Sequence, residues 1–466
     1  MKRKLVSFFI ALGFSGVVMA GGILTNTNQS AMYIRMMARD ATLGLDAVYF
    51  NPAGLSLLND GFYLSINNQT LGQTRWITSN YSQFNNSEYT GKIFAPAFPD
   101  LFATYKKGNL AVSLGFMPIG GGGGAKYDKG LPSFEYGIAN LVPSLSSYGV
   151  TGYSADISFE GTSVFFGYQA NISYKINDML SLAIGGRYVA AKNTYKGSIK
   201  NIMVTSATGT YTPGNYLRLV AQTPGLDAVT IAALNGFAAT LDVATADREV
   251  DAEETGTGFT PIISLNIAAS ENLNFALKYE FNTKLDLTTK VKDGKDGGGL
   301  YTEGEKNRSD LPAQIVAGAT YKPVDKLLIS TGVHYYMDKQ ADWGGLQDSL
   351  SGNSYEFALG LEYAISENFK VSTGYLFTKS GAVAKYQSDV SYSLPSNTIG
   401  AGFAYRISPA FELNLAGSYT MYTKGDKAIS IDPTGMMGPL TPTTETYDKD
   451  VWIVAVGLNF NFGAAK

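Results

Sequence analysis

Cysteine is absent from the 466 residues, and histidine occurs once, at His334. The first absence excludes disulfide staples, a thiol nucleophile and a lipidation site at a mature N-terminus. The second leaves no residues for a catalytic triad or a His-rich metal centre. No enzymatic residue, metal ligand or cofactor site is therefore assigned, and Asp251, Glu253 and Glu254 are read as solvated loop carboxylates. Charge is scarce too: 16% of residues are charged against 45% hydrophobic, and a formal net charge of −3 argues against a nucleic-acid partner. After the opening segment, no apolar run reaches the about 20 residues that a membrane-spanning helix requires. A chain this apolar, without such a helix, has to be explained by strands.

What is present begins with an export signal. Lys2, Arg3 and Lys4 precede an uncharged apolar run from Leu5 to Met19, closed by the small residues Val18 and Ala20. Residues 1–20 are expected to be cut away, so that the mature chain begins near Gly21.

Beyond residue 61 the sequence alternates with period two. From Val451 to Phe462, Trp452, Val454, Val456, Leu458, Phe460 and Phe462 share one parity, and Gly457, Asn459 and Asn461 the other. Tyr355, Phe357, Leu359, Leu361, Tyr363 and Ile365 alternate with Ser354, Glu356, Ala358, Gly360 and Glu362; Leu273 to Phe281 and Phe411 to Met421 behave alike. A tilted membrane strand needs about 9–11 residues, and these runs have that length. Apolar residues on one face and charged ones on the other suit a barrel with lipid outside and a polar lumen. Tight turns at Lys106–Asn109, Ile176–Met179, Ala269–Leu273, Lys322–Asp325, Ile365–Asn368 and Ile407–Ala410 alternate with long connections, notably 118–160 and 193–256. Short turns on the periplasmic side and long extracellular loops are the outer-membrane layout. The expected fold is therefore all-β: a transmembrane antiparallel barrel of about fourteen strands over 62–462. The strands are expected near 62–72, 99–107, 109–117, 161–176, 179–192, 257–269, 272–287, 310–322, 325–339, 352–366, 368–379, 394–407, 410–424 and 449–462. Since hydrocarbon offers an edge strand no partner, the first must pair with the last.

Residues 21–61 do not alternate. Ser30 reads as the cap of a short helical stretch through Met32, Arg35, Met36 and Asp40, and Asn51-Pro52 reads as a turn. An open barrel of this width would leak, so this segment is expected to plug the lumen. The run Arg39-Asp40-Ala41 through Asp46-Ala47-Val48-Tyr49-Phe50-Asn51-Pro52-Ala53-Gly54-Leu55 resembles the N-terminal hatch of the FadL/TodX family. The sequence match is confined to roughly 35–58, with Asn51, Pro52 and Ala53 as the hatch motif. The resemblance implies passive outer-membrane transport of hydrophobic small molecules, long-chain fatty acids foremost: capture by loops, a lumenal pocket, and lateral release at a kinked third strand when the hatch moves.

Other positions have a site reading beside a plainer one. Leu226, Ile231, Leu234 and Phe237 fall at helical spacing inside 225–247, which is either an apolar capture groove or a loop helix packed as a lid. Pro118, Gly120 and Gly121 end the third strand, as a kink that opens a lateral gap or as the start of a flexible loop. Inward charges at Lys175, Arg187, Lys278, Glu280, Glu356, Glu362, Arg406 and Glu412 form wall salt bridges or bind a carboxylate, Arg187 and Lys278 being the first candidates. The expected partners are a hydrophobic small-molecule ligand, outer-membrane lipid and the barrel-assembly machinery, with the protein a monomer. A diffusion porin and a structural or adhesive barrel are the rival readings.

Overall fold

The computed structural model describes residues 23–432 and 440–462. The expected export signal, residues 1–20, lies outside them. The wall is one antiparallel sheet of eighteen segments. In order they are β1 (Gly61–Ser79), β2 (Glu88–Lys107), β3 (Leu110–Tyr127), β4 (Val150–Lys175), β5 (Leu180–Ser206), β6 (Gly209–Tyr211), β7 (Arg248–Ser270), β8 (Leu273–Glu280) and β9 (Asp286–Asp296). Then follow β10 (Lys306–Arg308), β11 (Gln314–Val324), β12 (Leu327–Tyr336), β13 (Ser354–Ala364), β14 (Phe369–Lys379), β15 (Ser396–Ser408), β16 (Phe411–Tyr422), β17 (Gly425–Ile431) and β18 (Thr441–Asn461).

Three couples are single wall strands with a break. β8 and β9 both pair with β7, β10 and β11 pair with β9 and β8, and β16 and β17 both pair with β18. With β6 a short hairpin on β5, the wall has fourteen staves, the expected number. The sheet closes where β1 pairs with β18, from Tyr63 opposite Asn461 to Ser79 opposite Glu445. Closure satisfies the backbone groups that hydrocarbon cannot.

The alternation sorts as the pattern requires. On β18, Trp452, Val454 and Val456 are 41%, 58% and 39% exposed on the lipid side, whereas Val451, Ile453 and Ala455 are buried inside. Arg187, Lys278, Glu280, Glu356 and Glu362 are buried in the lumen. Arg406 is exposed near a short turn, and Lys175 and Glu412 are half-buried, so these three stand outside the buried set.

Several strands outrun their expected ends. β4 has 26 residues and β5 has 27, far more than the about 9–11 needed to cross a bilayer. The wall therefore stands well beyond the membrane on the long-loop side, and the connections 118–160 and 193–256 shrink to 128–149 and 207–247. Those upper strand ends turn polar residues such as Asp156, Glu160 and Lys196 outward while Tyr153, Ile157 and Phe159 are buried inside, so the lipid-facing apolar parity ends there. The shortened connections carry α3 (Pro132–Ala139), α4 (Leu141–Leu145), α5 (Pro213–Val220) and α6 (Ala228–Ala244).

Before β1 lie α1 (Ala31–Arg35), α2 (Ala47–Phe50) and a 3-10 turn, Pro52–Leu57. Ser30 caps α1, its Oγ accepting the Tyr33 N–H at 2.9 Å. Residues 23–42 and 46–56 are all buried. This segment fills the lumen, because α1 packs on β14–β16, β18 and β1 while the 3-10 turn packs on β2–β5 and β7.

Candidate functional site

The plug is held by the inward polar face of the wall, bond by bond. Its free carbonyls take side-chain donors: Val48 from Gln169 Nε2 at 2.7 Å, Ala41 from Asn274 Nδ2 at 3.0 Å, Ala38 from Ser330 Oγ at 2.6 Å and Tyr49 from Lys278 Nζ at 2.8 Å. Without these, a buried irregular segment would leave orphan carbonyls, each a desolvation cost.

Asn51, Pro52 and Ala53 form the densest of these anchors. The Asn51 Nδ2 amide donates to Thr42 O at 3.0 Å and to Asn266 Oδ1 at 2.7 Å, and its Oδ1 accepts the Gly54 N–H that opens the 3-10 turn. Pro52 fixes φ at the first position of that turn, and its carbonyl accepts from Ser173 Oγ at 2.6 Å. Ala53 N reaches Ser264 Oγ at 3.4 Å. One tripeptide thus ties the plug to β4 and β7 at once.

Ionic groups complete the attachment. Glu280 accepts from Arg187 Nη1 at 2.6 Å, from Arg187 Nη2 at 2.9 Å and from Lys278 Nζ at 2.7 Å. Arg187 also holds Gln169, and both cations lie over the Tyr49 ring of the plug, at 5.1 and 4.3 Å from its centroid. On the opposite wall His334 bridges Asp40 of the plug and Glu356 of β13, each at 2.7 Å. Arg35 reaches Glu362, Ser372 and Asn414. These plug-to-wall pairs escape sequence reasoning because they join residues some 300 positions apart.

Glycines make room for the plug. A Cβ built at Gly318 would lie 2.6 Å from Asp40 Cβ, and one at Gly374 2.5 Å from the Met37 nitrogen. Gly318 pairs with Gly332, and Gly360, Gly374 and Gly400 are successive neighbours on β13–β15, so the bare patches form a band at one level. Backbone packs on backbone there.

The ladder between β2 and β3 is open, as a seam, over part of its length. β2 and β3 pair from Leu101 opposite Phe116 to Lys107 opposite Leu110, and then only at Lys92 opposite Lys126. Between, Ile93–Asp100 and Met117–Ala125 do not pair with each other. Pro96, Pro99 and Pro118 lack the N–H a ladder needs, and the Gly120–Gly124 run resists regular pairing. β3 remains a strand on β4, with register slips at Pro118/Gly120 and Gly120/Gly123. Gly121 takes φ +80, and a Cβ there would meet the Ser163 carbonyl, so only glycine suits it. These residues therefore do not start a flexible loop. From inside the barrel the plug covers the seam: Thr25 bridges Gly120, Asn26 N donates to Ile119 O at 2.9 Å, and Gln29 Nε2 donates to Pro118 O at 2.9 Å. A small cleft behind it is lined by Thr25, Tyr49, Ile119, Arg187, Glu280 and Gln314.

The family described as outer membrane protein transport protein (OMPP1/FadL/TodX) matches residues 11–462. The chain belongs to that family. Membership places it in the outer membrane and makes it a transport channel for hydrophobic compounds. Its fold is that of a Pseudomonas aeruginosa FadL homologue, with TM-score 0.62 and 12% identity over 95% of this chain and 100% of that one. It is likewise similar to the P. putida toluene transporter TodX, with TM-score 0.56 and 14% identity over 91% of this chain and 95% of that one. No curated protein matches the chain in sequence. At such low identity a FadL/TodX barrel keeps its architecture while its lining residues are free to differ.

The four apolar positions in 225–247 lie elsewhere. Leu234 is buried, with Ala238 and Leu241, on the side of α6 that packs against α5; Leu226, Ile231 and Phe237 are half-buried, and Val229 and Val243 stand 80% and 74% exposed. Most of the length of β5 separates them from Arg187. Outside the membrane Asp227 caps α6, and the Thr230 backbone N–H, 2.7 Å away, holds the Asp227 carboxyl below its usual range.

Proposed function

We propose that this protein carries long-chain fatty acids passively across the outer membrane of a Gram-negative cell. The α5–α6 pair, with Leu226, Ile231, Leu234 and Phe237, captures the ligand from solution, gaining about 0.8 kcal/mol for each CH₂ it buries. The ligand then enters the lumen, the plug shifts as a hatch about its Asn51-Pro52-Ala53 anchor, and the ligand leaves sideways through the seam at Pro118, Gly120 and Gly121. Arg187 and Lys278 act in this reading through the plug they hold and the cleft that Arg187 lines. Export by the cleaved segment 1–20, insertion by the barrel-assembly machinery, a monomeric state and the absence of catalysis belong to the same reading.

The observation that carries it is the unpaired seam backed by the plug. A barrel has no reason to leave a ladder open at membrane depth unless something passes there, and a lateral exit spares an apolar ligand the aqueous periplasm. A lumen filled by residues 23–56 argues against the diffusion porin. The test is mass spectrometry of lipids co-purified with the detergent-extracted protein, beside a variant lacking residues 23–50. Bound fatty acids in the intact protein, and higher bilayer conductance in the variant, are expected. No bound ligand and equal conductances would overturn the reading in favour of a porin.

A further inference from the structure

The barrel is closed a second time, outside the plug. Along β1 the plug is met at Gln69 and α3 at Ser79, nearer the outer end of the strand. All residues of α3 but Ser133 and Gly137 are buried, so the helix lies within the mouth. The wall holds it from several sides. Glu135 accepts the hydroxyls of Tyr89 on β2 and Tyr153 on β4, and the Phe134 ring meets Phe159 of β4 edge to face at 5.5 Å. Just past the helix, Asn140 accepts the Tyr81 hydroxyl. Two further carboxylates hold the start of the helix. Glu445, at the outer end of β18, accepts the Tyr136 hydroxyl at 2.9 Å, and Asp389, in the connection after β14, accepts the Ser133 N–H at 2.7 Å. Ser133 and Tyr136 are about one turn apart, so both acids act on the same short stretch.

Asp389 and Glu445 are 3% and 6% exposed, and neither enters an ion pair among the described residues. The cation facing them, Lys427 of β17, gives its Nζ to the Gln387 carbonyl instead, at 2.5 Å. The other titratable groups turned toward them are the hydroxyls of Tyr127, Tyr136 and Tyr447, which burial raises, so they stay neutral. Two negative charges in one dry place repel, and burial disfavours each by itself. Burial and the charge of Asp389 push the Glu445 carboxyl up to about 7, and burial raises that of Asp389. We propose that Asp389 and Glu445 form a proton-operated latch: with a proton between them they hold α3 across the mouth, and with both ionised they release it as an outer gate. The gate is separate from the plug, and its part in passage rests on the reading that apolar ligands enter this barrel from outside. An acid raised in the closed state stabilises that state at low pH, and the stabilisation is lost as pH rises through the closed-state value. The latch is therefore shut in mildly acid surroundings and loosens above neutral pH. For a Glu445 carboxyl at about 7 when closed and at its ordinary 4.5 when opened to water, the equilibrium shifts toward open on the order of thirtyfold between about pH 5.5 and about pH 8.5.

The test is hydrogen exchange of the amides in 132–139, in the full-length protein and across that pH range, corrected for intrinsic rates. Native protein is expected to lose protection about thirtyfold on going from the acid to the alkaline end. Glu445→Gln keeps the shape and an acceptor oxygen but cannot ionise, and should flatten most of that slope. Adding Asp389→Asn should leave no more than about threefold of it. A merely structural role would lower protection at every pH and keep the slope. Level protection in native protein, which needs no variant to fold, or a native slope in the double variant, would overturn the latch. Uptake of a labelled long-chain fatty acid reads the gate, with native and Glu445→Gln cells compared at the same pH so that the ligand's own ionisation cancels. The variant should match native at about pH 5.5 and fall severalfold behind it at about pH 8. Equal uptake at both values, beside a sloping native exchange profile, would overturn the gate. Uptake by neither protein at any pH would instead fail the transport reading, and the exchange profile would still decide the latch.

Discussion

Replacing Glu280 by Ala should loosen the plug without disturbing the outer face of the barrel. Glu280 takes three hydrogen bonds from Arg187 and Lys278, all three residues being buried. Its removal strands two cations beneath the plug, one of them bonded to the Tyr49 carbonyl. Taking one partner out of a buried ion pair costs about 3–5 kcal/mol, chiefly because the remaining charge stays desolvated. The docked plug is what keeps this site dry, so the cost falls on docking. At about 1.4 kcal/mol per factor of ten, the docking equilibrium shifts by roughly 10²-fold to a few thousandfold. Planar-bilayer recording should show this as openings far more frequent than in native protein, and limited proteolysis as cleavage within residues 23–56. Swapping all three residues for apolar ones of similar volume removes the stranded charges and should restore much of the thermal stability. A Glu280→Ala protein with native conductance and native protease resistance would refute the reasoning.

Asn51→Ala loses two donated hydrogen bonds and the cap of the 3-10 turn, and should destabilise the plug by about 2–3 kcal/mol in sum; hydrogen exchange of the amides in 52–57 reports it, and unchanged protection would contradict it. The pH response of α6 follows from its cap. The Asp227 carboxyl titrates lower when α6 is folded than when it is not. That cap therefore stabilises the helix above pH about 4, where the unfolded carboxyl is also ionised, and is lost as pH falls through the folded value. Exchange within 228–244, corrected for intrinsic rates, should accelerate on acidification in native protein and stay level in Asp227→Ala. Filling the glycine band should push the plug off the wall: Gly374→Val is expected to fold as a barrel, by its heat-modifiable gel mobility, yet to conduct more than native protein.

The architecture was legible because a membrane strand is a repeating physical constraint. The parity of Trp452 to Phe462, or of Tyr355 to Ile365, has to hold wherever lipid lies on one side, and each short turn marks a hairpin. Strand ends were not, since above the lipid the outward parity turns polar, as at Asp156 and Glu160, and the lipid-facing alternation ends. At the site, the helix inside 225–247 and the cap at Ser30 followed from spacing and residue type, but the short helix after Ser30 stops at Arg35 instead of running through Met36 to Asp40, because Met36 turns extended. The irregularity at Pro118 and Gly121 was visible as composition, but its continuation as a strand on β4 depends on the partner, which composition does not carry. Arg187 and Lys278 were picked as inward cations; that Glu280 and the Tyr49 carbonyl occupy them is a fact of three-dimensional neighbours.

Plug movement is the step on which the account turns, and the absence of cysteine makes it open to a clean lock. A Cβ built at Gly360 would lie 3.5 Å from Ala38 Cβ, inside the about 3.5–4.5 Å that a disulfide spans, with the flexible Met36 side chain moving aside. The measurement is uptake of a labelled long-chain fatty acid by cells carrying Ala38→Cys with Gly360→Cys, oxidised and then reduced. The account predicts uptake abolished in the oxidised form and recovered on reduction, with both single variants near native. Equal uptake in the two redox states, with the cross-link verified by mass, would contradict it.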